Sequence, residues 1–113
     1  MPEAPKTASA AVELAVLRTQ TGGDAKLERE VLGLYVDRAP RDFASLAAAA
    51  NPDERRRLAH QIAGSARAVG AGEVARLAAQ IEQRPNSPGD TIAGLGKALD
   101  KAIAFIAAHL ATG

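Results

Sequence analysis

Residues 51–72 read NPDERRRLAHQIAGSARAVGAG. This stretch carries a helix together with its start and its stop. Asn51 can cap, Pro52 suits the first helical position, and Glu54 can reach back as in a capping box. Asp53 and Glu54 also favour the positive end of the helix dipole. The glycines of Gly70-Ala71-Gly72 end the helix, because Gly accepts a left-handed backbone at a helix C-terminus. A helix is therefore predicted from Pro52 to Val69.

The same grammar recurs on both sides. A first helix is predicted over 9–19, with Thr7 or Ser9 as its cap and Val12, Leu14, Ala15 and Leu17 as its apolar residues. Gly22-Gly23 ends it. Asp24 then caps a second helix over 25–50. Its stripe is Leu27, Val31, Leu34 and Tyr35, resumed by Phe43, Leu46 and Ala47. Pro40 falls inside this pattern and predicts one long kinked helix rather than two. After residue 72, a fourth helix over 73–83 carries Val74, Leu77, Ala78 and Ile81 on one face. RPNSPG at 84–89 is a loop. The last helix, over 90–110, carries Ile92, Leu95, Leu99, Ile103, Ile106 and Leu110.

The predicted fold is all-α. Short connections make consecutive helices antiparallel neighbours. The last four would close an up-down-up-down four-helix bundle, with the short first helix packed over one end. Residues 1–7 read as a flexible lead-in and 8–113 as a single domain.

Composition agrees. The chain has 113 residues, and close to one in four is Ala, the best helix former. There is no Cys, no Trp, one Tyr and two Phe, so a β-sandwich would lack its packing residues. Without Cys there is no disulfide framework, thiolate metal site or cysteine nucleophile. The net charge is +1, from 14 basic and 13 acidic residues, which gives no global field for nucleic acid. The longest near-apolar run, 44–50, is far short of the roughly 20 residues that span a bilayer. The N-terminus lacks the order of a signal peptide. These features predict a cytoplasmic protein, and apolar stripes used up by the core predict a monomer.

The helix over 52–69 also carries the candidate chemistry. With His60 at zero and about 100° per residue, Leu58, Ile62 and Val69 fall near 160–200°, opposite His60. If they face the core, His60 faces water. Arg56, Ala63, Gly64 and Arg67 share its side. Ser65, near about 140°, is expected half-buried. A neutral imidazole is a good nucleophile toward phosphorus. Two guanidinium groups could hold a phosphoryl group through charge-assisted hydrogen bonds. Gly in mid-helix costs roughly 1 kcal/mol against Ala, so close approach of another surface is a reason to keep Gly64. Each part also has a plain structural explanation. The Arg55-Arg56-Arg57 run reads as a solvated face, and Gly64 could permit helix packing. His109, near a helix end, reads as structural.

The arrangement resembles the signature of histidine-containing phosphotransfer (HPt) domains. That signature is a His, a hydrophobic residue two on, Gly four on, a small residue five on, then a Gly-Ala step. His60, Ile62, Gly64, Ser65 and Gly70-Ala71 match it. Leu77-Ala78 and Ile81-Glu82 resemble the family's fourth-helix stretch. Leu34-Tyr35 through Leu46, with a Pro near the middle, resemble its second helix. The similarity covers about residues 22–110.

The resemblance implies a phosphorelay carrier with no kinase activity of its own. His60 would accept a phosphoryl group through Nε2 from the aspartyl phosphate of a response-regulator receiver domain, such as one carried by a hybrid sensor histidine kinase. It would then pass the group to another receiver. The receiver would supply Mg²⁺, and this chain would bind no cofactor. Arg56, Gln61, Ala63, Gly64 and Arg67 would steady the phosphoryl group or line the docking face. One departure stands out: the family often has Lys where Ala63 stands, so Arg56 or Arg67 would have to substitute. The alternative is a receiver-docking helical module without phosphotransfer. A sensor-kinase acceptor helix would have an acidic residue and a Pro where Gln61 and Ser65 stand. The charge balance and scarce aromatics speak against nucleic acid.

Overall fold

A computed structural model describes residues 11–86 and 89–112. Among these residues are five helices: α1 (Leu14–Gln20), α2 (Ala25–Ala48), α3 (Pro52–Val69), α4 (Gly72–Gln83) and α5 (Gly89–Thr112). No strand occurs among the described residues. Thr7 and Ser9, the expected caps of the first helix, lie outside them.

Local chemistry sets most helix ends where the sequence places them. The Asn51 side chain accepts from the Glu54 N–H at 2.9 Å, and Asp24 accepts from Leu27 at 3.0 Å. Glu54 does not complete a capping box; its carboxylate pairs with Arg57 at 3.2 Å. Gly70 takes φ +85°, while Ala71 N–H reaches the Ala66 carbonyl at 2.8 Å and Gly70 N–H reaches Arg67. This is the Schellman ending, in which a left-handed residue lets two N–H groups satisfy the last carbonyls.

The first helix starts later than expected, at Leu14. Glu13 N–H is spent on the Gly70 carbonyl at 2.9 Å, and Glu13 is extended, with ψ 98°. The preceding Val12 is buried. This segment is therefore a strap over the α3–α4 turn rather than a first helical turn. α2 ends at Ala48, two residues early, and runs through Pro40 as one helix. α4 and α5 each begin one residue early, at Gly72 and Gly89.

α2 touches α3 and α5, and α4 touches α3 and α5, so these helices form a closed ring of neighbours; α1 packs on α3 and α2. The ring encloses one core, with Leu17, Leu32, Leu46, Ile62, Ile81, Leu95 and Ile106 fully buried. Such side chains contribute about 1.5–3 kcal/mol each when fully buried. The alanines have a specific place here. Ala59, Ala63 and Ala66 of α3 are all buried, as are Ala75 and Ala78 of α4. Small side chains let helix axes approach closely, and α3 with α4 is the most extensive contact between the described helices.

Two expectations need correction. The core face of α2 is Glu28, Leu32, Tyr35, Ala39 and Leu46; of the stripe read from the sequence, Tyr35 and Leu46 are buried and Val31 and Phe43 half-buried, while Leu27, Leu34 and Ala47 face outward. Leu27 is 42% exposed and Leu34 61%. The two arcs lie side by side, and the polar Glu28 disguised the inner one. Glu28 is buried because Arg18 of α1 reaches it at 3.4 Å, supplying the charge partner that a buried carboxylate requires. The second correction concerns the arginine run. Arg55 is not simply solvated: its guanidinium donates to the carbonyls of Ala49 and Pro85, tying the α2–α3 link to the segment after α4. Arg29 similarly donates to the Leu110 carbonyl near the end of α5.

Candidate functional site

His60 stands in the middle of α3 with its side chain 71% exposed, on the side opposite Ile62. α4 folds back beside α3 after the Gly70 turn, which brings Glu82 level with His60. The imidazole Nδ1 lies 2.8 Å from Glu82 Oε2. An ionised carboxylate can only accept, so Nδ1 carries the proton and donates it. The ring is thereby held in one tautomer. Nε2 keeps its lone pair and is the nitrogen free to react.

The other predicted site residues divide. Gln61, Gly64 and Arg67 are exposed on the His60 side of α3. A Cβ added at Gly64 would meet nothing within 4 Å. Intramolecular packing therefore gives no reason for this glycine. Arg56 is exposed but turned toward the start of its helix, where it pairs with Asp53 at 3.1 Å. This direction is expected, because helical side chains tilt toward the N-terminus. Arg67, two turns after His60, has no ion-pair partner among the described residues. Ser65 is half-buried, as expected, and its hydroxyl is spent on carbonyls of its own helix.

Ala63 must be removed from the phosphoryl-contacting or docking set. It is fully buried. The buried arc of α3 is wider than its large residues indicate, because α4 covers the side that carries Ala59, Ala63 and Ala66. That packing leaves no surface at Ala63 for a partner to touch.

Glu82 is the neighbour of His60 that the sequence reading missed. Ile81-Glu82 was part of the matched fourth-helix stretch, but nothing in a helical stripe says which residue of one helix meets which of another. The usable signal was modest: a carboxylate twelve residues beyond the turn, facing a histidine ten residues before it.

The core of helices presents the His60 imidazole to solvent, with its inner nitrogen tied to a carboxylate. It offers a nucleophile on an open surface, where another macromolecule can bring the group to be transferred. The Hpt domain family model matches residues 30–108, and the chain belongs to that family. It is thus a phosphotransfer module of the phosphorelay type. The fold agrees with a crystal structure of the HPT domain from a hybrid sensor histidine kinase of Shewanella. The TM-score is 0.78 at 18% identity, over 92% of this chain and 97% of that one. Among curated proteins no match is found. No described helix is long and apolar enough to cross a membrane.

Proposed function

We propose that His60 accepts a phosphoryl group from the aspartyl phosphate of a response-regulator receiver domain and passes it to a second receiver. The Nε2 lone pair attacks phosphorus, the N–P bond forms, and the P–O bond to the aspartate breaks. The aspartate leaves with the electron pair as a carboxylate. The Nδ1 proton stays in place, so the phosphorylated ring gains positive charge beside Glu82. The carboxylate offsets that charge without any proton having to leave. Transfer to the second receiver reverses these steps on a new aspartate.

The observation that carries this proposal is the exposed His60 ring held through Nδ1 by Glu82 at 2.8 Å. Phosphoryl transfer depends on in-line positioning and charge neutralisation more than on covalent work by the carrier. Arg67 serves as the cation on this chain; Arg56 is committed to Asp53. Gly64 gives the receiver room beside the ring. Mg²⁺ and the remaining catalytic groups belong to the receiver, and the carrier has no kinase activity and no cofactor. In this proposal residues 8–113 form one antiparallel up-down-up-down bundle, monomeric and cytoplasmic, that meets receivers such as that of a hybrid sensor histidine kinase and does not bind nucleic acid.

The test is transfer of labelled phosphoryl from phosphorylated receivers of the source organism. Wild type gains acid-labile label from at least one receiver, and His60→Gln gains none. Label retained by His60→Gln would refute the assignment.

A further inference from the structure

Of the three consecutive arginines on α3, Arg55 is half-buried, while Arg56 and Arg57 are exposed. Helical geometry explains the difference. With His60 at zero, Arg55 falls near about −140°, between Leu58 and Ala66 at the edge of the arc that α4 covers, whereas Arg56 and Arg57 fall near about −40° and +60°. Arg56 and Arg57 pair with Asp53 and Glu54 of their own helix. Arg55 instead donates through one terminal nitrogen to the Pro85 carbonyl and through the other to the Ala49 carbonyl, the latter at 3.1 Å. Its Nε is buried, and so is Pro85. Hydrogen bonds from a charged donor are stronger than neutral ones. Arg55 is thus a strut between segments rather than a solvated charge.

The strut closes the open end of the α3–α4 hairpin, whose other end is the Gly70 turn. His60 follows Arg55 by five residues, a rise of about 7.5 Å. Glu82 precedes Pro85 by three residues and lies in the last turn of α4. Helix ends open at little cost in free energy unless something ties them down. Burial of Ile81 anchors this turn just before Glu82. After Glu82, the helix offers the Arg84 N–H bond to the Gln80 carbonyl at 3.0 Å and no basic side chain in its last turn. Pro85 has no N–H with which to add another bond. Its carbonyl, taken by Arg55, ties the end of α4 back to α3. Glu82 is 31% exposed, so its carboxylate stays on Nδ1 only while the backbone beneath it stays in place.

We propose that Arg55 is a positioning residue: by holding the Pro85 carbonyl against α3 it fixes the last turn of α4, and so keeps the Glu82 carboxylate on Nδ1 of His60. Its bonds go to carbonyls and not to the imidazole, so it acts on the ring through Glu82. The planar guanidinium spans two carbonyls in a fixed fork, which an ammonium on a flexible stem does not. The inference rests on the reading of His60 as the phosphoryl acceptor.

The experiment compares Arg55→Ala, Arg55→Lys, Glu82→Ala and the double variant of Arg55→Ala with Glu82→Ala, all in the full chain. Gly70→Ala, which strains the opposite end of the hairpin, controls for lost stability. Each variant is measured well below its melting transition. Nuclear magnetic resonance of ¹⁵N-labelled histidine reads the His60 tautomer at a pH where the ring is neutral. Phosphoramidate, a small donor that needs no docking surface, reads the reactivity of His60. Wild type and Gly70→Ala keep the proton on Nδ1, while Arg55→Ala gives a mixture with Nε2–H, as Glu82→Ala does. Arg55→Lys falls between, and it alone decides if Arg55→Ala does not fold. Labelling slows about threefold or more in Arg55→Ala, and the double variant is no slower than Glu82→Ala, because both changes remove one contact. A wild-type tautomer in the Arg55 variants overturns the proposal. So does the same tautomer mixture in Gly70→Ala, which makes the effect one of general loosening. A double variant slowed by the product of the single effects also overturns it, since Arg55 then acts apart from Glu82. If no receiver phosphorylates wild type, the acceptor reading fails, and the tautomer comparison still judges the strut.

Discussion

Glu82→Ala isolates the one interaction that distinguishes His60 from an ordinary surface histidine. At 2.8 Å the Nδ1–Oε2 contact is a charge-assisted hydrogen bond. Hydrogen bonds to charged groups contribute about 1.5–3 kcal/mol. The ring gains positive charge during transfer, so the carboxylate stabilises the transition state more than the resting state. His60 and Glu82 are 71% and 31% exposed, so water screens the pair and the lower part of that range applies. About 1–2 kcal/mol of lost transition-state stabilisation corresponds to a rate roughly 5- to 30-fold slower, at tenfold per 1.36 kcal/mol. Rapid-quench kinetics with a saturating phosphorylated receiver measures it. Glu82→Gln keeps an acceptor but loses the charge, so its rate falls between the two. The melting temperature changes little, because the pair sits at the surface. An Ala variant within about twofold of wild type, less than 0.5 kcal/mol, would show that Glu82 neither orients the ring nor offsets its charge.

Other positions give independent checks. Gly64→Ala stabilises the fold by up to about 1 kcal/mol, since the methyl enters open space and Ala is the better helix former. The same variant slows transfer from a receiver and leaves phosphoramidate labelling unchanged; equal receiver rates would end the clearance explanation. Gly70→Ala is destabilising by about 2–3 kcal/mol, because φ is +85° and the new Cβ collides with the Glu13 carbonyl. Thermal melting reads that loss, and a melt like wild type would contradict the strap. Tyr35→Phe is neutral or stabilising by up to about 1 kcal/mol, because it removes a buried hydroxyl with no partner. Burial, with Asp42 nearby, pushes the Tyr35 phenol above its ordinary value of about 10. The folded state therefore disfavours the phenolate, so stability present below about pH 10 falls as pH rises further, and Tyr35→Phe removes that part of the alkaline loss in denaturant titrations. Arg67→Ala slows transfer more than Arg56→Ala; the reverse order would assign the phosphoryl-steadying role to Arg56.

Much of this fold was legible because its helix ends are local events. Asn51, Asp24 and Gly70 each act on their own few neighbours, and the chain follows them. His60 was legible for a similar reason: Leu58, Ile62 and Val69 on one helix fix which way that helix faces. What escaped depended on partners distant in sequence. Glu28 is core only because Arg18 arrives from another helix, and that exchange turns Leu27 and Leu34 outward. Ala63 is buried because α4 lies over a stripe of small residues that carries almost no periodic signal. Glu82 gains its role from the register between α3 and α4, which neither helix encodes alone. The delayed start of α1 follows from Glu13 bonding to Gly70, far along the chain.

The central claim is that Glu82 holds Nδ1 of His60 so that Nε2 takes the phosphoryl group. Its most direct test is nuclear magnetic resonance of the protein labelled with ¹⁵N in histidine, before and after phosphorylation by a receiver. The prediction is a proton on His60 Nδ1 in the free chain and phosphorus coupled to Nε2 of His60 afterwards. Phosphorus on Nδ1, or on His109, would contradict it.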